Sequence, residues 1–317
     1  MRTYRIGTRG SALARWQADH VADRLRQAGA SVQIVPIVTH GDRDQWNDLS
    51  VDALGTVGVF TKAIQEALLA GEVDIAVHSM KDLPTVAVPG LVIAAVPARG
   101  PEGDVLISRQ GQSLEQLTQG AAVGTGSRRR ISQLLHTRPD LSIRPIRGNV
   151  QTRLGKLESG ELDAIVLAEA GLVRLGLTSL SRFPLLPQYL LPAAGQGALA
   201  IEARCDDRET RELLTPLHDP ATFAAVSAER AFLAELGGGC LAPVAVWARS
   251  EGGQLLLTGR VISVDGARKL ETSAIGRWDF PEELGRRAAA ICRCQGADGI
   301  LAEARRMGAS GNPDTGE

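Results

Sequence analysis

Aromatic residues make up only 3 % of this 317-residue chain. Its cores must therefore be packed by Ala, Val, Leu and Ile, as in parallel strands buried under helices. An excess of one charge is missing too, the formal net charge being −1. That balance excludes a global field attracting DNA or an anionic membrane, while leaving room for a local basic cleft. Cysteine is scarce, with four residues: Cys205, Cys240, Cys292 and Cys294. Their spacing fits neither a small disulfide framework nor a paired C-x-x-C zinc site, so reduced thiols are expected. The five histidines are scattered, with no H-E-x-x-H pattern, which argues against a metal enzyme. No apolar run nears the roughly 20 residues of a membrane span. Met1–Gly10 has no long apolar core behind Arg2 and Arg5, so no signal peptide is expected and the chain is read as cytoplasmic. Neither G-x-x-x-x-G-K-S/T nor a helix-opening G-x-G-x-x-G occurs, which leaves ATP and NAD poorly supported.

Hydrophobic residues reach 44 %, enough for several cores, and the length suits two or three domains. Short apolar strands alternate with amphipathic helices through the first two-thirds. Tyr4–Ile6 reads as a strand. Ala12–Ala28 reads as a helix, with Ala14, Ala18, Val21, Leu25 and Ala28 at helical spacing and Gly29 as its stop. Ser31–Val38 is a strand, Lys62–Ala70 a helix and Val73–Val77 a strand. The pattern restarts near Gly103, with strands at Ala121–Val123, Ile143–Ile146 and Asp163–Leu167 separated by helices. Such alternation predicts two similar α/β lobes. Leu190–Glu202 is the candidate return to the first lobe. From Pro220 the pattern changes. A helix at Ala221–Leu236 ends in Gly237-Gly238-Gly239, and strands at Val244–Arg249, Gln254–Val264 and Lys269–Arg277 are joined by Gly-Gly and Asp-Gly turns. With a helix at Pro281–Arg293 they form a small C-terminal α+β domain. The expected division is 1–98 with 192–217, then 99–191, then 218–307, and Gly308–Glu317 as a frayed tail.

Four strand-to-helix junctions place small residues beside basic ones: Gly7–Ser11, His78–Asp82, Gly124–Arg130 and Arg147–Arg153. Helix N-termini offer unpaired N–H groups and a partial positive charge. Arginine adds a planar fork matched to carboxylate or phosphate. In parallel sheets such junctions gather at the carboxyl ends of the strands, where ligands bind. Helix capping with solvated arginines explains one junction well; four together point to a ligand carrying several negative charges. Asp82, beside Lys81, is the best lone carboxylate, suited to pairing with a developing cation, although an N-cap role explains it equally well. Cys240 follows three glycines, an odd setting for a core thiol. A helix C-terminus disfavours a thiolate, so Cys240 reads as a permanent attachment point rather than a turnover nucleophile. A small buried filler is the competing reading.

The segments IGTRGSALA (6–14), DIAVHSMKDLP (74–84), Gly124–Arg130, RGNVQTR (147–153), LAEAGLVRL (167–175), PAAGQGA (192–198) and Glu229–Pro243, in this order, closely resemble the porphobilinogen deaminase family. The resemblance implies two lobes like those of type II periplasmic binding proteins, plus a third domain. It implies a dipyrromethane cofactor in thioether linkage to Cys240, with Asp82 as the catalytic carboxylate at the pyrrole nitrogens. Arg9, Ser11, Lys81, Ser127, Arg129, Arg130, Arg147, Arg153 and Arg174 match positions that hold acetate and propionate groups. Phe60 matches a ring-contacting residue on a mobile loop, and Gln196 a linker residue near the cleft. The implied reaction joins four porphobilinogen molecules head to tail in a monomer with no nucleic-acid or membrane partner. Val57 departs from a usual lysine, Gly237 from a usual acidic residue and Arg128 from a usual aliphatic one. Leu241-Ala242-Pro243-Val244-Ala245 stands where the family more often has Gln-Val-Pro-Ile-Gly. Two other readings compete: a two-lobed small-anion binding protein without catalysis, and a paralogue of the deaminase with reduced turnover.

Overall fold

The computed structural model describes residues 2–37, 59–239 and 242–309. The first lobe opens with β1 (Thr3–Thr8), α1 (Ala12–Gln27), β2 (Ser31–Pro36), α2 (Val59–Leu69), β3 (Ile75–Ser79), a 3₁₀ turn (Met80–Asp82) and β4 (Leu91–Ala95). The second lobe holds β5 (Asp104–Ser108), β6 (Ala122–Gly124), α3 (Arg128–Thr137), β7 (Ser142–Arg144), α4 (Val150–Glu158), β8 (Ala164–Ala168), α5 (Glu169–Arg174) and β9 (Phe183–Leu185). The chain then returns through β10 (Leu199–Arg204) and α6 (Arg208–Leu214). It ends in α7 (Pro220–Glu235), β11 (Val244–Glu251), β12 (Gln254–Ile262), β13 (Lys269–Arg277), α8 (Pro281–Cys294) and α9 (Ala297–Ala309).

The two lobe sheets repeat one design. Their orders are β2-β1-β3-β10-β4 and β7-β6-β8-β5-β9. In the first, β1 is parallel to β2 and β3, and β10 runs antiparallel between β3 and β4. In the second, β6 is parallel to β7 and β8, and β5 runs antiparallel between β8 and β9. Each antiparallel strand is the one whose chain has just arrived from the other lobe. This is the expected α/β class, two α/β lobes with a small C-terminal α+β domain. The two crossings run in contact: Gly100 N–H donates to Gly197 O at 3.1 Å. Gly197 has φ +86°, and a Cβ there would press on the carbonyls of Gly100 and Pro101.

Local chemistry accounts for the element ends. Ser11 caps α1, its hydroxyl accepting from Ala14 N–H at 3.3 Å, and Gly29 follows the helix at φ +87°. Asn149, Asp207 and Asp219 cap α4, α6 and α7 in the same way. The strand expected at Ile143–Ile146 ends at Arg144 because Pro145 cannot donate to a ladder. The helix expected from Lys62 begins at Val59. The stretch before the expected tail is also helical: α9 runs to Ala309 and buries Ile300, Leu301 and Ala304 on one face.

The third domain lays α7 and α8 on the antiparallel sheet β11-β12-β13. Phe232 of α7 is fully buried there, and a Cβ at Gly259 would collide with its ring. The domain touches both lobes. His136 of α3 pairs through Nδ1 with Gly266 O at 2.8 Å, and Val246 N–H donates to Pro192 O at 3.1 Å. Phe232→Ala removes the largest side chain of this core. Its expected cost is about 3–5 kcal/mol, read as a lower urea midpoint with an unchanged m-value.

Candidate functional site

The parallel strands aim the basic junctions at one place. Arg9 and Ser11 follow the carboxyl end of β1, and Lys81 and Asp82 that of β3. Ser127–Arg130 follow β6, Arg147–Arg153 follow β7, and Arg174 closes the helix after β8. Parallel pairing puts each set on one sheet edge. A chain of contacts then joins the two edges. Lys81 Nζ lies 3.4 Å from Gln196 Oε1, and Gln196 Nε2 donates to Glu102 O at 2.7 Å and to Asp104 Oδ1 at 3.2 Å. Asp104 opens β5 of the second lobe. Gln196 thus sits in the return crossing and bridges the lobes.

Asp82 is exposed, yet its turn is tightly held. Met80 and Leu83 are buried on either side of Lys81–Asp82, together with Val226 of α7. Met80 N–H donates to Ala198 O at 3.0 Å, and Leu83 N–H closes the turn on Met80 O at 3.2 Å. Gly195, at φ +71°, presses on Met80 and on Lys81 N, where a Cβ has no room. From α7, Arg230 donates to Leu83 O at 3.3 Å and Pro84 O at 2.7 Å. Among the described residues no ion pair engages the Asp82 carboxylate.

Asp104 is fully buried and holds two guanidinium groups, Arg129 at 2.8 Å and Arg130 at 2.6 Å. Burial pushes its carboxyl up, but Arg129, Arg130 and Lys81 hold it down to about 2. Arg129 also donates to Leu191 O at 2.5 Å and Arg130 to Val166 O at 2.9 Å. Both arginines are therefore saturated by the protein. Others are not. Lys81, Arg147, Arg153 and Arg174 have no carboxylate within ion-pair distance among the described residues. Burial and the nearby Arg130 push the Lys81 ammonium down to about 8 against the pull of Asp82 and Asp104. Arg153 is lowered to about 10 by burial and by Arg130, and Arg174 to about 10 by burial. Arg153 donates to Gly148 O at 2.9 Å. Arg174 donates to Gly197 O at 2.6 Å and lies over the ring of Trp16, 5.8 Å from its centroid. Desolvated cations lacking an internal anion mark where an anionic ligand is stabilised.

Comparison with known proteins identifies the family. Residues 4–212 match the family model "Porphobilinogen deaminase, dipyromethane cofactor binding domain", and residues 223–292 match "Porphobilinogen deaminase, C-terminal domain". The chain belongs to the porphobilinogen deaminase family. It is similar to the porphobilinogen deaminase of Syntrophomonas wolfei, with 47 % identity over 308 residues, covering 96 % of this chain and 100 % of the relative. A porphobilinogen deaminase of Desulforudis audaxviator is 48 % identical over 300 residues, covering 95 % and 97 %. Among solved structures, an ancestral cationic amino acid solute binding protein aligns with a TM-score of 0.40 at 18 % identity, covering 68 % of this chain and 89 % of that one. The Bordetella pertussis BvgS periplasmic VFT2 domain gives 0.41 at 14 %, covering 67 % and 85 %. Likeness at that level carries no argument about ligand. The family makes the chain a transferase of tetrapyrrole biosynthesis with a dipyrromethane cofactor-binding domain, not a passive anion receptor. No helix among the described residues is long and apolar enough to cross a membrane.

Sequence reasoning singled out the basic residues at these junctions but missed the groups that hold some of them. Asp104 was hidden as the polar start of an apolar strand; an acid directly before Val105-Leu106-Ile107 was the available signal. Arg99 and Glu229 form a buried two-pronged pair at 2.8 and 2.9 Å, with Gly195 and Ala248 N–H groups also donating to that carboxylate. Gln133 accepts from Leu191 N–H and from Arg260 at 2.8 and 2.9 Å, tying α3 to the third domain. Arg128 does not add charge to the cleft: it donates to Ala304 O of α9 at 2.5 Å. Cys240, Val57 and the side chain of Phe60 lie outside the described residues.

The lowered Lys81 ammonium is directly observable, because the chain has only Lys62, Lys81, Lys156 and Lys269. After ¹³C-dimethylation, which labels the four lysines and the α-amine, the signal that vanishes in Lys81→Arg is expected to titrate near pH 8, well below the other three lysines. All four titrating together near the ordinary lysine value would contradict the desolvation described above.

Proposed function

We propose that the chain is a hydroxymethylbilane synthase, acting as a cytoplasmic monomer on porphobilinogen without nucleic-acid or membrane partners. The supporting observation is the split between saturated and unsaturated cations. Arg129 and Arg130 answer to Asp104, whereas Lys81, Arg147, Arg153 and Arg174 have no carboxylate within ion-pair distance among the described residues. Each pyrrole unit brings two carboxylates, so a growing chain needs many such cations in one cleft. The donor set also fits the dipyrromethane group, whose acetate and propionate arms suit Ser11, Lys81, Ser127, Arg147 and Arg153. Ser127 supports this reading, since its hydroxyl makes no cap hydrogen bond to its own helix. In this reading Arg9, Arg129, Arg130 and Arg174 shape the same carboxylate sites, Gln196 sets the gap between the lobes, and Phe60 contacts a ring. The proposed domains are 1–98 with 192–217, 99–191 and 218–307.

When bound through Cys240, the dipyrromethane supplies the free ring carbon to which new units are joined. The protein residues do the rest. The unsaturated cations orient the substrate by its carboxylates, converting a bimolecular encounter into a positioned one. The Asp82 carboxylate stabilises the positive charge that develops on the pyrrole nitrogen as ammonia leaves. It can do so because its turn is tightly held and, among the described residues, no ion pair engages it. The departures at Gly237 and Arg128 do not disturb this machinery. Gly237 occupies φ +59° at the end of α7, a conformation natural to glycine, and Arg128 bonds outside the cleft.

Three measurements test this reading. Intact mass is expected to exceed the sequence mass by two linked pyrrole units, and Cys240→Ser is expected to abolish the increment. Thiol titration is independent of mass. Cys205 and Cys294 are exposed and react in native protein; Cys292 is buried, with its thiol pushed up to about 11, and reacts only after unfolding. Unfolded protein is therefore expected to yield three thiols, and a fourth would mean that Cys240 is unmodified. For Asp82→Asn the expectation is full loading with turnover down roughly 10²-fold or more; near-normal porphobilinogen consumption would remove Asp82 from its role.

A further inference from the structure

The end of α7 that leads to Cys240 is capped with unusual completeness. Gly238 N–H donates to Leu233 O at 3.0 Å and Gly237 N–H to Ala234 O at 2.8 Å, the two bonds of a Schellman ending with Gly237 at φ +59°. The carbonyls left over are taken by arginines from two other helices. Arg293 of α8 bonds Glu235 O. Arg305 of α9 donates to Gly237 O at 3.0 Å and to Leu236 O at 3.4 Å. Ala242 N–H donates to Gly239 O at 3.0 Å, so the two residues flanking the Cys240–Leu241 pair are held together. Every carbonyl of the last turn is thus satisfied, where helix ends ordinarily fray into water.

The same turn of α9 also faces the second lobe. Arg128, the first residue of α3, donates to Ala304 O at 2.5 Å, and Ala304 directly precedes Arg305. The next two residues of α3 are Arg129 and Arg130, which meet Asp104. One turn of α9 therefore touches the root of the cysteine loop on one side and the arginine-bearing helix on the other. The third domain secures α9 independently, by Ile300, Leu301 and Ala304 in its core and by an Arg268–Glu303 ion pair.

We propose that α9 is a strut fixing the attachment loop against the second lobe, with Arg305 and Arg128 as positioning residues for the tethered primer. The proposal rests on Cys240 being the attachment residue. Neither arginine touches reacting atoms; each acts by setting where the loop root stands relative to α3. Small displacements of a positioned group cost rate steeply, on the order of 10²-fold per ångström.

The test compares Arg305→Ala, Arg305→Lys, Arg128→Leu and the Arg305→Ala/Arg128→Leu double variant with unaltered protein, each as cofactor-loaded enzyme quantified by intact mass. The expected result is full loading, kcat lowered roughly tenfold in Arg305→Ala, KM for porphobilinogen within about twofold, and partial recovery in Arg305→Lys. The double variant is expected to lose less than the product of the two single effects, because both residues act through one helical turn. Amide exchange over 237–239 is expected to quicken in Arg305→Ala. A role confined to stability lowers the melting temperature and the active fraction while leaving kcat per loaded enzyme unchanged, and that outcome overturns the proposal. Should Arg305→Ala not fold, Arg128→Leu alone decides: wild-type kcat in its loaded form also overturns it. Failure of the underlying reading is distinct, since unaltered protein would then carry no mass increment and consume no porphobilinogen.

Discussion

Asp104 sets the electrostatics of the cleft. A carboxylate with no access to water needs compensating charge, and Arg129 and Arg130 provide it from the first turn of α3. The two guanidinium groups are thereby fixed in place, and half of their combined charge is neutralised. Without that anion, Lys81, Arg129, Arg130 and Arg153 would repel one another across a desolvated gap. With it, the remaining cations stay charged and oriented while lacking partners of their own. The cleft therefore combines a satisfied interior with an unsatisfied lining, the condition under which an anionic ligand replaces lost solvation.

Helix α7 organises the other half. Through Glu229 it binds Arg99 of the outgoing crossing and Gly195 of the returning one, and through Arg230 it holds the segment behind Asp82. Its far end becomes the glycine run before Cys240, seven residues beyond Arg230, or about 10 Å at the helical rise. One rigid element thus references the carboxylate turn, both crossings and the attachment loop. The arginine caps from α8 and α9 extend that rigidity to its last carbonyl.

Much of this was legible in the chain. Helical spacing, glycine stops and the restart near Gly103 disclosed two α/β lobes, and the change of pattern after Pro220 disclosed the third domain. Basic residues at strand ends disclosed the cleft, because a parallel sheet collects those ends at one edge. The rest depended on long-range partners. A buried Asp104 is recognisable only once β5 is seen beside β8, and the Gln196 bridge only once the return crossing lies between the lobes. Arg128, a departure from a usual aliphatic residue, is adjacent in sequence to Arg129 and Arg130, but a helix turns about 100° per residue, and it bonds α9 instead. Gly237 read as a lost acid, whereas its backbone takes the left-handed conformation that closes α7.

The pairing of the two interlobe crossings has a mechanical corollary. Gly100 and Gly197 are hydrogen-bonded to each other where the chain passes between lobes, with no space for even a methyl group at Gly197. Two segments fastened and closely packed at this point resist separation. The third domain adds further ties to both lobes through His136–Gly266 and Val246–Pro192, so the seam between the crossings is braced from outside as well. Gln196, one residue before Gly197, grips both halves at that seam, Lys81 of the first lobe and Asp104 of the second.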